Sequence, residues 1–117
     1  VTINEERRGK IGILSLRGSF SGKPGVAAFE RAIFDLLKDD IIFIILDLEQ
    51  LKFIDSAGLG AMISAMVSIG RRGGALKLAE LRGDIYRVMT SMHLDQVFEL
   101  HDTVEEAETS LVRKGRS

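Results

Sequence analysis

The 117-residue sequence contains no cysteine, no tryptophan, a single proline and only two histidines. Without cysteine there can be no disulfide, no thiolate nucleophile and no zinc–thiolate centre, which fits a reducing compartment. An excess of one charge is missing too. Sixteen basic and 17 acidic residues leave a formal charge of -1, with both signs interspersed. Such a chain has no basic field to hold nucleic acid or an anionic membrane surface. Its longest apolar run, Ile41 to Leu46, is far too short to cross a bilayer. Val1–Glu6 lacks an apolar stretch behind a basic start, so it does not read as a secretion signal. The expectations are a cytoplasmic protein with no nucleic-acid partner and no membrane insertion.

What is present is an ordinary globular mixture, 45% apolar and 28% charged, long enough to bury one core unaided. No linker, low-complexity tract or repeat divides it, so residues 1–117 read as a single domain. Val1–Arg7 and Ile11–Arg17 form an opening hairpin, and Gly18 to Gly25 is rich in residues that break regular structure, predicting a loop. Val26, Phe29, Ile33, Leu36 and Leu37 recur at helical spacing. Ile41–Leu46 has no polar alternation, the pattern of a strand buried on both faces and parallel to a neighbour. A second helix follows from about Ala57 to Arg71, ended by Gly73-Gly74. Then come a strand at Ala75–Ala79, a short helix carrying Ile85, Val88, Met89 and Met92, and a strand at Val97–Leu100. The last helix opens on Thr103-Val104-Glu105-Glu106, a capping-box pattern. This order predicts an α/β domain, with a mixed, mostly parallel sheet of about five strands and about four helices.

The stretch from Leu46 to Gly60 joins the buried strand to the second helix, beyond a strand's carboxyl end, where α/β folds usually place their sites. Asp55 is a good N-cap for that helix. If it caps, Ser56 takes the first helical position with its hydroxyl free; if Ser56 caps, its oxygen is occupied. Read locally, Asp55-Ser56 is also no more than a helix start. The helix behind it, however, carries no charge from Ser56 to Gly70, whereas a surface helix normally has a charged outer face. Opposite its Leu/Met stripe lie Gly60, Ala61, Ser64, Ala65 and Ser68. These small residues present either a flat docking surface or a face buried within the same domain. A phosphate on Ser56 would add about two negative charges. A helix N-terminus tolerates such charge, but a docked partner would have to desolvate it.

These residues resemble the STAS family, most closely its bacterial anti-sigma factor antagonists. The resemblance covers essentially the whole chain. It rests on Gly18, on Ile45-Leu46-Asp47-Leu48 leading into Phe53-Ile54-Asp55-Ser56-Ala57-Gly58-Leu59, on Gly73-Gly74, and on Met92–Phe98 followed by Thr103–Ala107. It implies a partner-switching cycle. The unmodified antagonist binds an anti-sigma factor that is itself a serine kinase of the histidine-kinase-like ATPase fold, freeing the sigma factor. The kinase, using its own ATP and magnesium, then phosphorylates the serine after the aspartate, here Ser56, and a serine phosphatase resets the switch. Partner contacts are expected at Asp55, Ser56, Ala57, Gly58, Gly60, Ala61, Ser64 and Ser21. The chain itself would catalyse nothing, hold no metal or cofactor, and stay a monomer when free. Family members usually carry aspartate three residues after the glycine that ends the second strand; here that place holds Ser21, which bears on partner identity and kinase competence.

Other motifs are weaker. Gly22-Lys23-Pro24-Gly25 lacks phosphate-loop spacing, and Ile54-Asp55-Ser56-Ala57-Gly58 is not a nucleophile elbow. His93 and His101 are isolated from each other, and nothing in the spacing of Asp47, Asp55 and Asp84 requires a magnesium ion. Two alternatives stay open: a STAS module in a sensory or transport assembly without phosphorylation, and a small enzyme or nucleotide-binding protein of the same α/β class.

Overall fold

A computed structural model describes residues 1–115. Its strands are β1 (Thr2–Arg8), β2 (Ile11–Phe20), β3 (Phe43–Asp47), β4 (Leu51–Ile54), β5 (Ala75–Ala79) and β6 (Glu99–His101). Its helices are α1 (Gly22–Leu37), α2 (Ser56–Arg71), α3 (Gly83–Ser91) and α4 (Val104–Gly115), with a 3-10 turn at Leu94–Gln96. The sheet order is β1-β2-β3-β5-β6, and β4 pairs with the end of β2. Among the described residues only the β1–β2 pair is antiparallel, and the other pairings are parallel.

The apolar run predicted from sequence is the centre of this arrangement. β3 lies between β2 and β5, and Ile44, Ile45 and Leu46 are completely buried. Because side chains alternate along a strand, Ile44 and Leu46 point into the larger core under α1, α2 and α3. Ile45 points the other way, into a smaller core with Ile11, Ile13, Val104, Ala107 and Leu111 of α4. Each such side chain contributes about 1.5–3 kcal/mol on burial. One six-residue run thus anchors both layers.

The structure corrects the sequence reading in three places. The described residues form six strands, because Leu51–Ile54, read as a connection, is β4. The stretch from Gly18 is not a loop: β2 continues to Phe20, its register shifting between Gly18 and Ser19 where Gly18 takes φ +84°, and α1 already starts at Gly22. The segment Val97–Leu100 shifts to a strand at Glu99–His101 behind the 3-10 turn. At α4 the Thr103 hydroxyl accepts from the Glu106 N–H at 3.1 Å, as the capping box predicts. The second cap comes from afar, however: the buried Glu80 carboxylate accepts from the Val104 N–H at 3.0 Å.

Two glycines make opposite demands. A Cβ on Gly74 would lie 1.9 Å from the Ile42 carbonyl oxygen, whereas one on Gly70 would meet nothing within 4 Å. Gly74→Ala should therefore force β3 and β5 apart and unfold much of the chain. Gly70→Ala should stabilise it by about 0.5–1 kcal/mol, or roughly 2–6 °C in Tm. Thermal denaturation followed by circular dichroism checks both.

Candidate functional site

The parallel pairing of β4 with the extended end of β2 sets Phe20 opposite Ile54, so the two strands finish side by side. Each then enters a helix, α1 after Ser21 and α2 after Asp55. Asp55 holds this junction. Its backbone N–H donates to the Phe20 carbonyl at 3.3 Å. One oxygen of its carboxylate accepts from the Gly58 N–H at 2.9 Å, capping α2, and the other accepts from the Gly22 N–H at 3.0 Å, at the start of α1. These backbone donors, Gly58 first, hold the Asp55 carboxyl below the usual aspartate range against the opposing effect of burial.

Asp55, not Ser56, is therefore the N-cap. Ser56 is the first residue of α2 and is exposed, as are Ala57 and Gly60. Its hydroxyl enters no hydrogen bond within the described residues. Ser21 sits across the junction, half-buried at the N-cap of α1, and its hydroxyl makes no capping bond either.

Not every residue expected at a partner surface lies there. Gly58 is buried, and a Cβ on it would stand 2.6 Å from the Phe20 carbonyl oxygen. Its place is to let α2 approach β2. Ala61 and Ala65 are also buried, beside Phe29 and Ile33 of α1, so that part of the small-residue face is intramolecular. Gly60, Ser64 and Ser68 remain exposed. Val67 of α2 is 42% exposed. Sequence reasoning placed Phe53 in the family motif but not at the partner surface; it is 53% exposed on β4, three residues before Ser56. An exposed aromatic in a four-residue strand leaves no periodic signal.

The remaining titratable groups lie elsewhere. Asp47 ends β3, half-buried, accepting from the Glu49 N–H at 3.1 Å; burial pushes its carboxyl up. His101 is held below the usual histidine range by burial and by the charge of Lys77. Among the described residues no three or more His, Asp or Glu side chains gather into a group that could hold a metal ion. None of the described helices is long and apolar enough to cross a membrane.

Comparison with known proteins adds the following. The model of the STAS domain matches residues 2–107. A Thermotoga maritima protein provisionally named an anti-sigma factor antagonist is 31% identical over 87 residues, 74% of this chain and 77% of that one. Among solved structures, the unphosphorylated form of the anti-sigma factor antagonist SpoIIAA superposes with a TM-score of 0.73 at 21% identity, covering 96% of this chain and 98% of that one. The phosphorylated form of SpoIIAA from Bacillus gives 0.71 at 21% identity, with 93% and 98% covered. A sulfate transporter family protein of Wolinella succinogenes gives 0.78 at 18% identity, with 94% and 91% covered. At these identities the structural likenesses speak for the fold.

If Asp55 joins the two helix starts, Asp55→Asn should lower the urea midpoint at neutral pH, because the amide accepts more weakly and through one oxygen only. A carboxyl held below its ordinary pKa contributes stability above the ordinary aspartate range and loses it as pH falls through the folded value. The gap between wild type and Asp55→Asn should thus be widest near neutrality and close in acid. Urea titrations from pH 7 down to the acid limit of folding check this.

Proposed function

The chain belongs to the STAS domain family, and from that membership we propose that it is an anti-sigma factor antagonist whose grip on its partner is set by Ser56. One observation carries the reading. Asp55 takes the capping role and leaves the Ser56 hydroxyl exposed and unengaged at the head of α2. The Thermotoga relative, by its name, supports the same function. SpoIIAA, which exists in phosphorylated and unphosphorylated forms, supports a switch of this kind.

In the proposed cycle the unmodified chain docks on an anti-sigma factor that is a serine kinase, through Ser56, Ala57, Gly60 and Ser64, with Ser21 and Phe53 at the rim. The kinase brings ATP and magnesium; this chain supplies only the acceptor. The Ser56 oxygen attacks the terminal phosphorus of ATP, ADP leaves, and the hydroxyl proton passes to a base. Asp55 is a poor base for that proton. Its two oxygens already accept backbone N–H groups, and its carboxyl is held below the ordinary range. The base therefore belongs to the kinase. Once formed, the phosphate lies at a helix N-terminus, where the aligned backbone dipoles favour negative charge. The fold accepts it. The docked partner does not, because the interface would have to strip water from two charges beside the Asp55 carboxylate. A serine phosphatase restores the hydroxyl.

The transporter likeness favours a second reading, a STAS module in a transport assembly where Ser56 is incidental. Capture from native lysate separates the two, with wild type and Ser56→Asp as baits, both confirmed folded, and ATP or ADP present. On the switch reading wild type retains a histidine-kinase-like ATPase, and Ser56→Asp binds it about 100-fold more weakly, equivalent to about 2.7 kcal/mol. Equal retention of one partner by both baits contradicts it.

A further inference from the structure

The face formed by α1 and α2 has features that the Ser56 site does not use. Between the two helices runs a shallow apolar groove of about 180 Å³, bordered by Phe34, Leu37, Ser64, Ala65 and Ser68. Phe34 stands on its rim 61% exposed, the most exposed large apolar side chain among the described residues, and Val67 is 42% exposed on α2. A projecting aromatic and a hollow lined by small side chains thus occur side by side on one surface.

The charges at the groove's ends show what fits it. Glu30 borders one end. Arg71 lies in the last turn of α2, and the Arg72 guanidinium donates to the Leu37 carbonyl at 2.9 Å, which brings the carboxyl ends of both helices together. Glu30 is therefore about two turns, roughly 10 Å, from the end where Arg71 sits. Neither Glu30 nor Arg71 has an ion-pair partner among the described residues. The nearby Lys38 is already engaged, with Asp35 at 3.5 Å.

A surface with a knob, a hole, an unpaired acid at one end and an unpaired base at the other is complementary to itself in antiparallel orientation. We propose that the α1–α2 face binds a second copy of this chain about a two-fold axis passing near Phe34. Phe34 of each copy enters the groove of the other beside Ser64 and Ala65, and Glu30 of each meets Arg71 of the other. The contact is isologous, so every interaction occurs twice. Two 16-residue helices offer a face of roughly 24 by 20 Å, about 1,000 Å² for both copies together, the low end for a specific interface. The dimer is weak and reversible, and the monomer expected from sequence is its dilute state. Ser56 stands at the far end of α2, about 22 Å along the helix from Arg71. The dimer does not require phosphorylation of Ser56, but Ser64 borders both surfaces, so a docked kinase and a second copy compete for that part of α2.

Sedimentation of the purified chain from micromolar to near-millimolar concentration tests the proposal without any partner. The mass should approach twice that of the monomer at the upper end. Phe34→Ser, at an exposed position where folding is safe and checked by circular dichroism, should weaken association by about tenfold or more. Glu30→Arg alone should weaken it too. Glu30→Arg combined with Arg71→Glu should restore it to near the wild-type constant, which general stickiness would not do. A monomer at every concentration, association indifferent to Phe34, or failure of the double reversal to rescue overturns the proposal. So does a monomer that instead uses Phe34 to hold a different protein, which would assign the groove to that partner.

Discussion

The Asp55 carboxylate is the constraint on which the site depends. It accepts one backbone N–H from each of two helices, Gly22 at the start of α1 and Gly58 in the first turn of α2. Helix N-termini leave backbone donors unsatisfied, and here one side chain serves two of them. The strands that deliver those helices, β2 and β4, are themselves paired. The junction is thus fixed by backbone on one side and by a carboxylate on the other. Gly58 completes it, since any side chain there would press on the Phe20 carbonyl.

From this follows a division of labour between neighbours. Asp55 carries the structural duty, so Ser56 is released from it. A serine acting as its own N-cap would have its oxygen turned toward the helix; a serine one position later presents it to solvent. On the proposed reading, adding charge to that oxygen alters the surface a partner must desolvate and leaves the two capping bonds in place. The neighbouring α1–α2 face, with Phe34 and its groove, adjoins this surface and shares Ser64 with it.

Much of this was legible in the sequence. Ile41–Leu46 announces a strand buried on both faces because no polar residue interrupts it, and Asp55 announces a cap because it precedes an apolar-periodic stretch. β4 was not legible. Four residues with Leu51 and Ile54 inward and Lys52 and Phe53 outward show neither strand alternation nor helical spacing, and their pairing exists only because β2 continues past Gly18. That continuation was hidden in turn, since Gly18, Ser19 and Gly22 look like turn residues when one of them is a bulge. The inward positions of Gly58 and Ala61 depend on how closely α2 approaches β2 and α1, a tertiary distance that no local pattern encodes. Glu80 reaches the start of α4 across 24 residues and is likewise invisible locally, where Thr103 and Glu106 already spell a complete capping box.

The central claim is that modification of Ser56 changes what the surface can bind while leaving the Asp55 junction intact. Hydrogen exchange at the Gly22 and Gly58 amides, compared between unmodified and Ser56-phosphorylated protein, tests it most directly. The account predicts that both amides keep their protection in the phosphorylated protein. Loss of protection at either amide would contradict it, because the phosphate would then act by breaking the junction rather than by altering the surface beside it.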